Sequence, residues 1–106
     1  MRALVRTLRK KRGFVIKFEW NSAKDASNLA KHGISFTEAT EVFRDHLAKI
    51  FPDPDHSVGE QRELIVGHNH SGKLLYVSFT ERLESTIRII SARTATRKER
   101  NDYEQN

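Results

Sequence analysis

The sequence contains no cysteine, only two prolines and no apolar run long enough to cross a membrane. Without cysteine there can be neither disulfides nor thiolate metal sites, and the redox compartment is left undetermined. Nothing in the chain resembles the apolar centre and cleavage site of a secretory signal. At 106 residues, we therefore expect one soluble, cytoplasmic domain with a modest core and no membrane partner.

Acidic residues are missing from the first twelve positions, which carry six of the nineteen basic residues. The remainder, residues 13–106, has thirteen basic and fourteen acidic side chains, so the net charge of +5 is concentrated near the N terminus. We expect residues 1–13 to form a flexible basic arm and residues 14–106 to form the domain. Nucleic-acid binding by the domain would then require a local cluster of cations.

The order of secondary-structure signals predicts an α+β fold. Weak alternation over Phe14–Phe18 predicts a strand, a helix pattern follows up to Gly33, and the capping box Ser35–Glu38 opens a second helix. Four strand patterns then follow in sequence, and the short turns between the later ones favour antiparallel pairing. A second capping box, Thr96–Glu99, opens a C-terminal helix. We expect an antiparallel β-meander packed by two N-terminal helices and a C-terminal helix.

The last strand pattern, Ser85–Arg93, is rich in β-branched residues and apolar on both faces, which predicts the most buried strand of the sheet. It also carries Arg88 and Arg93. These arginines either pair with carboxylates at the sheet margin or bind an anion, since the guanidinium group presents a fixed fork of donors that suits phosphate. Strict alternation sends them to opposite faces, so only a β-bulge or the strand's end could bring them together.

The segment Asp53–Arg62 collects acids, an imidazole and a guanidinium in ten residues. His56 is the side chain suited to proton transfer near neutral pH, because the unperturbed pKa of histidine is about 6.5. A neighbouring carboxylate such as Glu60 can hold the imidazole in one tautomer. The structural alternative is a loop fixed by aspartate caps and a Glu60–Arg62 ion pair. A hard-metal site is less favoured because the carboxylates lack a recognised spacing, and we expect neither metal nor cofactor.

The first helix presents Lys24 and Lys31 on one polar line, and it ends at His32. Cations in the last turn complement the helix dipole by roughly 0.3 to 1 kcal/mol, which alone could account for them. Trp20, just before this helix, is either a core residue or an aromatic platform on which a base stacks.

Three blocks of the sequence together resemble the BrnT family of bacterial type II toxins. They comprise Phe18-Glu19-Trp20-Asn21 with Lys24, Asn28, Lys31-His32-Gly33, Phe36 and Glu38-Ala39; then Asp53-Pro54-Asp55-His56-Ser57 with Glu60 and Arg62; and finally Arg88-Ile89-Ile90-Ser91-Ala92-Arg93 with Glu99, Arg100 and Tyr103. The order and spacing of the blocks make the resemblance specific. The family usually has Asp at the position of Asn21, and the basic arm lies outside the resemblance.

The resemblance implies a RelE-like fold and a ribonuclease toxin that inhibits translation. It also implies a cognate BrnA-like antitoxin with a ribbon-helix-helix part, through which alone the assembly would bind its operator DNA. The toxin would then form a dimer, or a heterotetramer with the antitoxin.

RNA cleavage by the neighbouring 2′-hydroxyl needs a base, an acid and cations, but no metal. We therefore expect a metal-independent endoribonuclease. The expected catalytic residues are His56, Glu60, Arg62, Arg88 and Arg93, and the expected RNA-binding residues are Trp20, Lys24, Lys31, His32 and Arg97. The alternative is a non-catalytic module whose basic face binds nucleic acid or an acidic protein partner. A third possibility is a regulator that binds ribosomes without cutting RNA.

Overall fold

A computed structural model describes residues 16–53, 61–82 and 85–105, and in this part of the chain five strands form one sheet in the order β1-β5-β4-β3-β2. The strands are β1 (Lys17–Glu19), β2 (Lys49–Pro52), β3 (Glu63–His68), β4 (Leu74–Arg82) and β5 (Thr86–Thr94). The helices are α1 (Ser22–His32), α2 (Phe36–Ala39), which continues as a 3₁₀ helix (Thr40–Arg44), and α3 (Arg97–Gln105). The expected arm, residues 1–13, lies outside the described residues.

The helices begin where the capping residues of the sequence place them. The Asn21 side chain accepts a hydrogen bond from the Lys24 backbone at the start of α1. Gly33 ends that helix with a φ of 73°, a left-handed conformation that costs glycine little. The Ser35 hydroxyl caps α2 through the Glu38 backbone N–H. These local signals mark the starts of both helices.

Strands β2 to β5 form the antiparallel meander that the sequence predicts. Strand β1 adds to it in parallel, beside only the first three residues of β5. The prediction that Ser85–Arg93 is the most buried strand is wrong: β4 lies in the middle of the sheet, and six of its nine residues are buried, against three of nine in β5. Within the described residues, the short β1 leaves most of β5 with a strand neighbour on one side only.

A β-bulge interrupts the pairing of β4 with β5. Ser78 pairs with Ser91, whereas the next residue, Phe79, pairs with Ile89, so Ile90 is an extra residue on β5. The buried side chains change parity there, from Ile89 before the bulge to Ala92 after it.

The hydrophobic core lies between one face of the sheet, which we call the core face, and the segment of α2 and its 3₁₀ extension. Phe43 is at its centre, with its ring 5.3 Å from Phe18 and 5.1 Å from Phe79. The fully enclosed members of the core are Ile34, Phe36, Ala39, Val42, Phe43, Ile65, Leu75, Val77, Phe79, Ile87, Ile89 and Ala92. The opposite side of the sheet, called the outer face below, carries the alternate residues of each strand.

Helix α1 buries one side chain, that of Asn28. Its amide donates to the backbone carbonyls of Ile34 and Ala92, and its oxygen accepts from the Ala92 N–H. Asn28 therefore ties α1 to the β5 backbone beyond the point where β1 ends.

Candidate active site on the outer face

The outer face of the two longest strands is polar at alternate positions. The bulge at Ile90 puts Arg88 and Arg93 on this same face, because each lies next to a core-facing residue on its own side of the bulge. From the sequence, the two arginines could share a surface only through a bulge or the strand's end. Other residues of these three strands also lie on the outer face: Lys17 and Glu19 on β1, Thr86 and Ser91 on β5, and Tyr76, Ser78, Thr80 and Arg82 on β4.

Arg88 lies near one end of this face, opposite Thr80. Its guanidinium is 3.3 Å from Glu19 Oε2, and the Arg88 side chain is 38% exposed. The same carboxylate oxygen is 3.4 Å from Arg82 Nε. Ion pairs this exposed are screened by water and contribute little to stability. The carboxylate partner foreseen for Arg88 is thus present, and the exposed guanidinium still has donors for an anion.

Arg93 is held more tightly than Arg88. Its two terminal nitrogens donate to the two oxygens of Glu99, at 2.7 and 2.9 Å, and its guanidinium lies 4.7 Å from the centre of the Tyr76 ring. The hydrogen bonds from Arg93 are the main reason that the pKa of Glu99 falls to about 2, although partial burial opposes the shift. Glu99 in turn raises the pKa of Arg93. The bidentate pair fixes the plane of this guanidinium.

Both described ends of the segment that connects β2 to β3 are bonded to the outer face of β4. Asp53 is buried and accepts a hydrogen bond from the Ser78 hydroxyl at 2.7 Å. The Gln61 carbonyl accepts from the Thr80 hydroxyl at 2.8 Å. Thr80 is the residue paired with Arg88, so this connection leaves and rejoins the sheet beside the arginine-bearing strand.

Two expected catalytic residues, His56 and Glu60, lie in residues 54–60, outside the part of the chain that the structure describes. Arg62 is described and is partly buried, and its carbonyl accepts a hydrogen bond from the Asp53 N–H. The convergence of His56 on the arginines therefore stays a prediction.

The residues expected to bind RNA are divided between two elements. Trp20 packs against the core, with its ring edge-on to Phe36 at 6.1 Å. Lys24, Lys31 and His32 are exposed on α1, which packs against α2 and β5. Arg97 is exposed at the start of α3. The RNA-binding role of these five residues stays a prediction.

Sequence reasoning passed over Glu19, Tyr76 and Arg82 as members of the site. A signal for two of them was available, since Tyr76 and Arg82 begin and end a period-two series of polar residues in the β4 pattern. The contact of Glu19 with Arg82 and Arg88 depends on the parallel pairing of β1 with β5, which no local pattern reveals.

A carboxyl pair on the core face is electrostatically unusual. Burial and a hydrogen bond with the Glu63 carboxyl raise the pKa of Glu81 to about 7. Glu63 is itself buried. Two carboxyl groups this close favour sharing a proton over both being ionised. Across residues 16–53, 61–82 and 85–105, no three His, Asp or Glu side chains are grouped as metal ligands would be.

A mixed five-stranded sheet, with a packed core on one face and two carboxylate-paired arginines on the other, defines a small α+β protein. The family model described as "Ribonuclease toxin, BrnT, of type II toxin-antitoxin system" matches residues 20–99. The chain therefore belongs to the BrnT family, as the resemblance of its three sequence blocks predicts.

A solved structure supports the same assignment. The 1.1 Å crystal structure of the Brucella abortus ribonuclease toxin BrnT is similar over 78% of this chain and 100% of that chain, with a TM-score of 0.62 and 25% sequence identity. No curated protein matches the chain. The predicted α+β fold and ribonuclease toxin function are thereby confirmed, and membership of a type II system implies an antitoxin partner. None of the described helices has the length and apolar character of a membrane span.

Proposed function

We propose that this toxin cleaves RNA on the outer face of its sheet, without a metal ion, and thereby inhibits translation in the cytoplasm. The observation that carries the proposal is the bulge at Ile90, because it gives Arg88 and Arg93 a common surface beside both ends of the 53–62 segment. Cations on one surface suit an RNA phosphodiester, since negative charge develops on the phosphoryl oxygens during the reaction.

In the proposed reaction the 2′-oxygen attacks the adjacent phosphorus and the bond from phosphorus to the 5′-oxygen breaks. His56 transfers protons, and Glu60 orients it or takes the 2′-hydroxyl proton. The departing 5′-oxygen receives a proton, so the products are a 2′,3′-cyclic phosphate and a 5′-hydroxyl. Arg62, Arg88 and Arg93 stabilise the phosphoryl oxygens.

The two arginines of β5 are suited to different parts of this task. Arg88 is partly exposed and contacts Glu19 through one terminal nitrogen, so it has donors left for a phosphate oxygen. Arg93 is fixed by Glu99 and by the Tyr76 ring, so it presents a pre-oriented charge. Trp20, Lys24, Lys31, His32 and Arg97 are proposed to contact the RNA on either side of the cut.

Purified toxin incubated with single-stranded RNA in EDTA tests this function. We expect wild-type protein to cut the RNA and leave cyclic phosphate ends, and Arg88→Ala to lower the rate by about 10² to 10³. Lys73→Ala is the matched control, because Lys73 is an exposed cation on the β3–β4 hairpin. A folded Arg88→Ala protein that cuts at the wild-type rate would exclude this assignment. Intact RNA with wild-type toxin that still binds its antitoxin would instead favour the non-catalytic module.

We further propose that the antitoxin partner is BrnA-like, with a ribbon-helix-helix part that alone contacts operator DNA. The sequence resemblance supports this partner, and a dimer or heterotetramer is the expected assembly. Co-expression with the adjacent reading frame and sizing of the purified complex test it. A toxin that binds operator DNA with the same affinity when the antitoxin is absent would refute the division of roles.

A further inference from the structure

Two arginines from different strands share one carboxylate oxygen at the β1 end of the outer face. Glu19 Oε2 lies 3.4 Å from Arg82 Nε and 3.3 Å from Arg88 Nη1. The three residues come from β1, β4 and β5, so three strands hold the arrangement together. A carboxylate oxygen between two guanidinium groups occupies the kind of position in which a phosphate oxygen is bound.

The side chains of this cluster are accessible. Arg82 is 52% exposed, Glu19 is 41% exposed and Arg88 is 38% exposed. Lys17 lies on the same face of β1 as Glu19 and is also exposed. These three cations and one carboxylate carry a net charge of +2, which attracts a polyanion even while Glu19 remains paired.

The position of Arg82 differs from that of Arg88 along the strands. Arg82 pairs with Thr86, whereas Arg88 pairs with Thr80, so the two guanidinium groups start one strand and two residues apart. The backbone positions of the two arginines are therefore about 8 Å apart. At this distance the two side chains can contact different phosphates, yet one carboxylate can still bridge them.

We propose that Glu19 holds Arg82 and Arg88 as a cradle for two phosphates of single-stranded RNA, the scissile phosphate at Arg88 and a neighbouring phosphate at Arg82. This inference rests on the proposed function and adds a second phosphate position to it. Arg82 is then a residue that binds substrate, and Glu19 is a positioning residue that acts through both arginines. The substrate must accordingly extend past the cleaved bond.

Binding and cleavage are measured separately to test the cradle. For binding, the probe is a short single-stranded RNA with every 2′-hydroxyl methylated, which cannot be cut by its own 2′-oxygen. We expect Arg82→Ala to weaken binding about 10-fold. We also expect it to reduce the slope of log affinity against log salt by about 0.7, the value for one phosphate contact on a single strand. Lys73→Ala, away from the cradle, should change neither quantity.

For cleavage, Arg82→Ala should act mainly on KM, whereas Arg88→Ala should act mainly on kcat. Glu19→Gln should lower both constants. KM falls because a negative charge is removed from the phosphate-binding surface, and kcat falls because Arg88 is no longer held in position. Thermal melts confirm that each variant folds.

The outcomes separate the cradle from the function on which it rests. Wild-type toxin that cuts RNA while Arg82→Ala keeps its affinity, salt slope and KM would overturn the cradle alone. Wild-type toxin that binds the methylated RNA with the expected Arg82 dependence but cuts no RNA would overturn the proposed reaction and the scissile phosphate at Arg88, whereas the phosphate position at Arg82 would stand. Absence of RNA binding by the wild type would overturn both.

Discussion

Replacing Asn28 by alanine should destabilise the fold more than alanine at any other residue of α1. Asn28 is the single buried side chain of that helix and makes three hydrogen bonds: its amide donates to Ile34 O at 2.9 Å and to Ala92 O at 2.7 Å, and its oxygen accepts from Ala92 N at 3.1 Å. Alanine would leave all three backbone groups without this partner. The change also favours α1 locally, because alanine has the higher helix propensity.

The expected magnitude follows from those contacts. Each hydrogen bond contributes about 1 kcal/mol net, and a buried group left unpaired costs more, so the loss should be about 3 kcal/mol after the gain in helix propensity. Domains of this size have total stabilities of about 5 to 15 kcal/mol. The melting temperature should therefore fall by about 10 °C or more.

Urea denaturation followed by far-ultraviolet circular dichroism measures this loss directly. Ser27→Ala is the matched control, because Ser27 neighbours Asn28 in the same helix and is exposed. We expect the control to be as stable as wild type or slightly more stable. A loss below about 0.5 kcal/mol for Asn28→Ala would refute the view that these bonds anchor α1, because that is the ordinary scatter of surface substitutions.

Three further predictions concern single residues. The pKa of Glu81, raised to about 7 from its ordinary 4.5, means that the folded state binds the proton more tightly. The free energy of unfolding should then fall as pH rises from 4.5 to above 7, by at most about 3 kcal/mol from this group. Urea denaturation at pH 5 and pH 8 should show a smaller fall for Glu81→Gln than for wild type. Parallel pH profiles of the two proteins would contradict the prediction. The pKa of Glu99, lowered to about 2, has the opposite sign. Glu99 should contribute about 1 kcal/mol to stability once the exposure of Arg93 is allowed for, and this contribution should be lost as pH falls from 4.5 to 2. Glu99→Gln should lack it, so urea denaturation of the two proteins with equal acid sensitivity would refute the prediction. Gly67→Ala should lower the free energy of unfolding by about 1 to 3 kcal/mol, because the added Cβ would lie 2.8 Å from Ala48 Cβ. An unchanged melting temperature would contradict this and show that the backbone can move to make room.

Local signals in the sequence predicted the helices and the meander well. The reason is that caps and short turns act between residues a few positions apart. In the second capping box, Thr96 accepts from the Glu99 backbone and Glu99 accepts from the Thr96 backbone, as that pattern predicts. The C-terminal helix accordingly starts at Arg97.

Features that depend on distant pairing could not be predicted in the same way. The parallel addition of β1 joins Lys17 to Thr86 across nearly seventy residues, and this pairing makes β4 the middle strand. A bulge in Ser85–Arg93 shifts the core-facing positions by one residue, so strict alternation assigns apolar residues to both faces. That pattern therefore predicted a strand buried on both sides. The sequence could therefore predict a common face for Arg88 and Arg93 only on the condition that a bulge or the strand's end brought them together.

The same side chain that anchors α1 also supports the surface on which the proposed site lies. Ala92 lies two residues beyond the bulge at Ile90 and past the end of β1, so its backbone groups on that edge are satisfied by Asn28 instead of by a neighbouring strand. These bonds hold the β5 backbone next to the bulge from the edge opposite β4. Since Arg93 follows Ala92 directly, Asn28 helps to keep the register that places Arg93 and Arg88 on one face. Asn28→Ala protein that is still folded at low temperature should thus cut RNA more slowly than Ser27→Ala protein, although Asn28 belongs to the opposite layer of the fold; equal rates would show that the bulge holds its register unaided.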